Sequence, residues 1–253
     1  MTRNCMADRR FRPALVLAVG ALCLVLAAPS AARSRREPRS PELEEVYRLL
    51  DHARETVHTF RAELTERRRL AMLEKEQVYH ARIAMDLPGR IRLEYDSPER
   101  RVYVLDGGRL VGWIPSRNRV EKMDLSRRKK RIQRLLALGQ DGASLEREFR
   151  VRLADDEPRP GTAELVLVPR SRRIRRRVRE IRLWIDRKLG IPRAIRYTTG
   201  DDNVVEIELS RVEINPEIPA QVFRLEIPPG AKVVRGLRSL GFDALAEAGE
   251  DVR

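Results

Sequence analysis

From Arg82 to Leu125 the chain reads RIAMDLPGRIRLEYDSPERRVYVLDGGRLVGWIPSRNRVEKMDL, and apolar residues recur at every second position until turn chemistry interrupts them. A period of two fits strands and not helices, and strands joined by such short connections must pair antiparallel. Tyr79, Ala81, Ile83, Met85 and Leu87 lead to a turn at Pro88-Gly89. Ile91, Leu93 and Tyr95 then alternate with Arg90, Arg92 and Glu94. Val102 to Leu105 run into Asp106-Gly107-Gly108, whose glycines accept the positive φ of a tight hairpin. The partner strand ends at Trp113, Ile114 and Pro115, and a turn at Asn118 returns the chain through Val120 and Met123. Five consecutive antiparallel strands with one greasy and one charged face are therefore expected.

Such a face must be covered. Ahead of it, Ser40 is a good N-cap, Pro41 suits the first helical position, and Glu42, Glu44 and Glu45 favour the helix dipole. Leu43, Val46, Tyr47, Leu50, Ala53 and Val57 form one apolar stripe that would lie on the sheet. Phe60, Ala62 and Leu64 open the first strand. Past the central stretch, Ser126 caps a second expected helix with Ile132, Leu135, Leu136 and Leu138 on one side. Further strands follow at Phe149 to Leu153, Ala163 to Val168, Val178 to Ile185, Ala194 to Thr198 and Val204 to Ile214, with an acidic Pro-rich loop from Asp155 to Pro160. In the last strand Val205, Ile207 and Leu209 share one phase and Val212 and Ile214 the other, so a bulge is expected near Ser210. The expected fold class is mainly β with α, a strongly curved antiparallel sheet or unclosed β-barrel covered by amphipathic lid helices.

The N-terminus has the pattern of an export signal, with Arg3, Arg9, Arg10 and Arg12 before an apolar run from Ala14 to Ala28 and small residues at Ser30-Ala31-Ala32. The expected organisation is a signal peptide over 1–32, a basic linker over 33–40, one domain over 41–236 and a polar tail over 237–253. Leu22 before Cys23 does not fit a lipobox. Both cysteines, Cys5 and Cys23, fall in the segment to be removed, so a mature periplasmic chain would rely on its core and not on disulfides. The net charge of +14 would suggest nucleic acid in a cytosolic protein. Behind an export signal the anions to expect are lipid head groups, lipopolysaccharide phosphates or an acidic partner, and no nucleic acid.

No nucleophile and base motif, phosphate-cradling loop or zinc signature is present, so neither an enzyme nor a cofactor nor a metal is expected. His52 and His58 fall on different faces of the expected helix, His80 is alone, and Asp201-Asp202 reads as a hairpin turn. Arg170, Arg172, Arg173, Arg175, Arg176, Arg177 and Arg179 form the most unusual cluster. They are either a solvated loop or a docking patch for an anionic surface, with Arg172, Arg173, Arg175, Arg176 and Arg177 its centre. Likewise Ile83, Met85, Leu87, Ile91, Leu93 and Tyr95 are either plain core or the lining of a cavity.

The order "PGRIRLEYDSP", "VLDGG", "IPSRNRVEKMDL", then "AELVLVPRS", "IRLWIDRKLGIPRAIRY" and "VFRLEIPPGAKVV", spread over Glu42 to Val234, resembles the outer-membrane lipoprotein carrier family, the LolA-like periplasmic chaperones. The resemblance implies an unclosed barrel whose apolar cavity, lined by Ile83, Met85, Leu87, Ile91, Leu93 and Tyr95, takes the acyl chains of a lipoprotein or another envelope lipid. Leu43, Val46, Leu50, Ile132, Leu135 and Leu136 would form the lid. It also implies an inner-membrane donor complex and an outer-membrane acceptor, and the export signal with a cysteine-free mature chain adds the expectation of a soluble periplasmic monomer. One departure stands out. The family places an arginine directly before the proline that matches Pro88, where it holds the lid, and this chain has Leu87. Two other readings stand beside the carrier: an envelope-stress sensor or regulator with the same lipid-binding domain, and a lipid-acting enzyme. A sensor usually adds a second domain, for which too little chain follows Val234.

Overall fold

The computed structural model describes residues 40–72, 75–87, 89–126, 142–154 and 159–236. Helix α1 (Pro41–Thr56) starts as its sequence requires: the Ser40 Oγ accepts from the Leu43 amide at 3.2 Å, and Glu42 and Glu44 occupy the first turn. Leu43, Val46, Tyr47, Leu50 and Ala53 are its buried face. The helix ends at Thr56, so His58 lies beyond it and the two histidines do not share a helix.

Twelve strands follow among the described residues: β1 (Thr59–Arg69), β2 (Gln77–Asp86), β3 (Arg90–Ser97), β4 (Arg101–Asp106), β5 (Arg109–Ile114), β6 (Arg119–Asp124), β7 (Phe149–Leu153), β8 (Thr162–Pro169), β9 (Val178–Asp186), β10 (Pro192–Thr199), β11 (Val204–Ile214) and β12 (Lys232–Arg235). They form one open sheet in the order β12-β6-β5-β4-β3-β2-β1-β11-β10-β9-β8-β7. Strand β1 is the pivot, pairing with β2 on one side and β11 on the other. Every pairing is antiparallel except that of β12 with β6, which is parallel. Helices α2 (Gly142–Glu148) and α3 (Arg172–Arg175) flank β7 and β9 in sequence.

Local chemistry sets the turns and the register. Gly107 and Gly108 both have positive φ, +55° and +89°, as a two-residue hairpin turn demands. The expected bulge is present: Arg61 pairs with Glu213 and Glu63 with Ser210, and Arg211 takes a φ of 47° in the slip. Both phases of β11 therefore face inward, Val205 and Ile207 before the bulge and Val212 and Ile214 after it.

The inner face and α1 form a single apolar cluster. On the outer face the segment from Ile218 to Leu225 crosses β3 and β4, burying Phe223 against Val102 and Val104 before the chain reaches β12. Elsewhere the outer face carries Arg–Glu pairs, among them Arg92–Glu94, Arg196–Glu206 and Arg182–Glu164, with Arg159 and Arg196 lying over the buried Trp184. No helix among the described residues is long and apolar enough to cross a membrane.

Candidate functional site

Strand alternation brings the expected apolar set together. Met85 pairs with Ile91, Ile83 with Leu93 and Ala81 with Tyr95, so these side chains stand side by side on the inner face. Met85, Ile91, Leu93 and Tyr95 are buried, while Ile83 and Leu87 are half-buried against the same cluster. Leu43, Val46 and Leu50 of α1 belong to the same cluster. The helix is held in place at several points. Arg187 reaches Glu42 at 2.8 Å, the Tyr47 hydroxyl donates to Glu146 of α2 at 3.4 Å, and Gly190 lets the β9–β10 turn lie directly on the helix backbone at Leu49. Ile132, Leu135 and Leu136, the other expected lid residues, lie outside the described residues, as does Pro88.

Sequence reading missed the polar side of this face. Glu66 of β1 points inward and is fully buried. Arg68 Nε donates to its Oε1 at 2.6 Å, and the Tyr95 hydroxyl donates to its Oε2 at 3.0 Å. The Arg68 guanidinium lies 4.2 Å from the centre of the Tyr79 ring, and Tyr79, Tyr95 and Tyr103 follow one another edge to face at 6.3 and 6.4 Å. Burial, reinforced by the Glu66 charge, pushes the hydroxyls of Tyr95 and Tyr197 well above the ordinary tyrosine range. Burial disfavours the Arg68 charge, but Glu66 outweighs it and fixes the guanidinium as a cation. The only available sequence signal was position: Glu66 and Arg68 keep the phase of Phe60, Ala62 and Leu64 along β1.

A second inner carboxylate, Glu121 of β6, is also fully buried and paired with Arg119. Between the two carboxylates the Tyr103 ring lies across Gly112, where a methyl group would come within 2.7 Å of it.

The arginine cluster is more ordered than a loop. Arg172–Arg175 make one helical turn, α3, pinned by buried Ile174. Arg175 donates to the Pro169 carbonyl, Arg170 to the carbonyls of Glu146 and Phe149, and Arg179 to that of Gly200. Arg172, Arg173 and Arg176 are exposed, and Arg177 is half-buried. Across the outer face of β1, β11, β10 and β9 an open groove of about 710 Å³ is lined by Arg67, Arg69, Arg182 and Arg196 together with Glu76, Glu180 and Glu206. No three His, Cys, Asp or Glu side chains among the described residues are arranged to hold a metal ion.

The family model described as outer membrane lipoprotein carrier protein LolA matches residues 55–226. Comparison with curated proteins finds no match. Among solved structures, an uncharacterized conserved protein from Thermus thermophilus is similar at 14% identity and a TM-score of 0.51, over 77% of this chain and 99% of that one. A LolA superfamily protein from Nitrosomonas europaea is 12% identical with a TM-score of 0.37, over 71% and 97% of the two chains. The lipoprotein LppX from Mycobacterium tuberculosis is 10% identical with a TM-score of 0.42, over 71% and 99%. At such identities the first of these likenesses shows the fold.

Proposed function

Because the chain belongs to the outer membrane lipoprotein carrier protein LolA family, we propose that it is a periplasmic carrier that holds the acyl chains of a lipoprotein, or of another envelope lipid, against its inner face and moves them toward the outer membrane. The observation that carries this reading is the single apolar cluster shared by α1 and the inner face of β2 and β3. Leu43, Val46 and Leu50 belong to the same apolar cluster as Met85, Ile91 and Leu93, so an acyl chain that enters it meets hydrocarbon from both the helix and the sheet. Each acyl methylene removed from water is worth about 0.8 kcal/mol. A chain of ordinary length therefore carries on the order of ten kcal/mol, enough to offset the displacement of one helix face.

In this reading Ile83, Met85, Leu87, Ile91, Leu93 and Tyr95 line the cavity once α1 lifts, and Leu43, Val46 and Leu50 form the described part of the lid. With Leu87 in place of the family arginine, packing takes over what a hydrogen bond to the lid does elsewhere. The exposed arginines of α3 and its flanks dock the carrier on an anionic surface of the donor or acceptor membrane. Residues 1–32 act as a signal peptide, and the mature protein works as a monomer without cofactor or metal.

The test is uptake of a fluorescent acyl probe by the mature chain, with Ile91→Glu beside it. Wild type should bind the probe. The variant should keep its circular-dichroism melt near wild type and lose the probe if the site opens to admit lipid. If the face is only a filled core, the unpaired charge unfolds the protein or costs several kcal/mol, and wild type binds nothing.

A further inference from the structure

Around Glu66 the inner face is charged where the strands beside it are greasy. Glu66 is fully buried, and both its carboxylate oxygens are engaged, one by Arg68 Nε and one by the Tyr95 hydroxyl. The side chain of Arg68 is 11% exposed and lies between Gln77 on β2 and Val205 on β11, with its plane against the Tyr79 ring. Its Nη2 is buried and has no hydrogen-bond partner. A buried donor on a cation left unpaired is rare, because the desolvation it suffers goes uncompensated. The tyrosines Tyr79, Tyr95 and Tyr103 continue this polar end across three strands, while the row of Met85, Ile91 and Leu105 makes the other end hydrocarbon. The inner face thus has the polarity of an amphiphile, apolar along most of its length and hydrogen-bonding at one end.

The charge balance selects the ligand group. Arg68 and Glu66 cancel, so a further carboxylate or phosphate brought here would meet the buried Glu66 charge without a free cation to balance it. A neutral oxygen acceptor pairs with the open N–H at no such cost. We propose that Arg68 Nη2 donates to the carbonyl oxygen of an acyl ester or amide, the linkage that joins a fatty chain to its head, so that cargo is held in one orientation with its head at the tyrosine end. This rests on the carrier reading above and adds to it the part of the lipid that is recognised.

The experiment measures displacement of a pyrenyl hydrocarbon from the mature protein by a long alkane, by the fatty acid of equal length and by its methyl ester. Wild type should bind the ester roughly tenfold more tightly than the alkane, as one hydrogen bond to a charged donor implies, and should bind the acid no better than the ester. A diacylated cysteinyl lipopeptide and a phosphatidylglycerol, each carrying the same linkage, show which source of carbonyl is taken; preferential binding of either supports the assignment. Arg68→Met alone strands a buried carboxylate and is prone to unfold, so the informative variant is Glu66→Leu with Arg68→Met, which removes both charges together. It should bind the alkane as wild type does and lose the ester preference. Should that variant fail to fold, the wild-type ratio of ester to alkane still decides. Equal binding of ester and alkane by wild type, or an ester preference that survives in the double variant, overturns the assignment and leaves a water molecule as the partner of Nη2. Binding of no probe, the alkane included, overturns the carrier reading as well.

Discussion

At the scale of single residues, two glycines with similar backbone angles separate the cost of conformation from the cost of contact. Gly190 and Gly230 both have positive φ, +65° and +84°, so an alanine at either is strained by about 1–2 kcal/mol. Around Gly230 nothing lies within 4 Å of an added methyl. At Gly190 the methyl would sit 2.1 Å from the Leu49 carbonyl oxygen and 3.2 Å from the Ala53 side chain. The neighbour is helix backbone and cannot rotate away, so α1 or the β9–β10 turn must shift. Gly190→Ala should therefore lower stability by clearly more than Gly230→Ala in urea denaturation, by several kcal/mol against about 1–2. Because the shift lifts the helix stripe from the inner face, it should also speed acyl-probe entry. Equal losses for the two variants would mean that the helix does not rest on that turn.

At the scale of elements, α3 and its flanks test whether charge can be removed without loss of structure. Ile174 and the backbone carbonyl contacts of Arg170 and Arg175 hold this turn, and the side chains of Arg172, Arg173 and Arg176 are exposed. Changing Arg172, Arg173, Arg176 and Arg177 to glutamine should reduce flotation with anionic liposomes at low salt and leave the melting temperature near wild type. Near a membrane each residue is worth about 1 kcal/mol, and the wild-type attachment should fade as the Debye length shrinks. Flotation unchanged at low salt would return the cluster to a solvated surface. How legible each element was follows from how local its signal is. Strands β2 to β6 and the β11 bulge follow from alternation and turn residues a few positions apart, and α1 from its cap and stripe. β12 pairs with β6 across more than a hundred residues and carries too short a pattern to announce itself. The Glu66–Arg68 pair was hidden because Thr-Glu-Arg-Arg-Arg reads as surface charge. Only the pairing with β2 and β11 shows that every second residue of that run turns inward.

At the scale of the whole molecule, the outer face of the sheet carries arginines that alternate with carboxylates, and this lattice sets the pH range in which the sheet is stable. Partial burial works against ionisation of Glu94, Glu99 and Glu206. Hydrogen bonds and charge from Arg92 and Arg100, from Ser116, Arg117 and Arg101, and from Arg196 and Arg159 nevertheless hold all three below the ordinary 4.5. A carboxyl group whose pKa is depressed by folding adds stability that is present above its unfolded value and lost as the pH falls through the folded one. The inner tyrosines act at the opposite limit. Burial and the Glu66 charge raise Tyr95 and Tyr197 above 10.0, and a raised pKa adds stability that is complete below the unfolded value and lost as the pH climbs past it. The melting temperature should therefore be nearly level from about pH 5.5 to 9, fall below about 4.5 as the outer lattice is protonated, and fall again above about 10 as the inner tyrosines are forced to ionise. Glu206→Gln should blunt the acid limb and leave the alkaline one alone, since Glu206 faces Arg159 and Arg196 outside and touches none of the tyrosines. Tyr95→Phe should blunt the alkaline limb, at the cost of one hydrogen bond to Glu66 across the plateau. A melting profile whose acid limb survives Glu206→Gln undiminished would place the pH sensitivity elsewhere than in this lattice, and an alkaline limb that begins well below pH 10 would do the same for the tyrosine row.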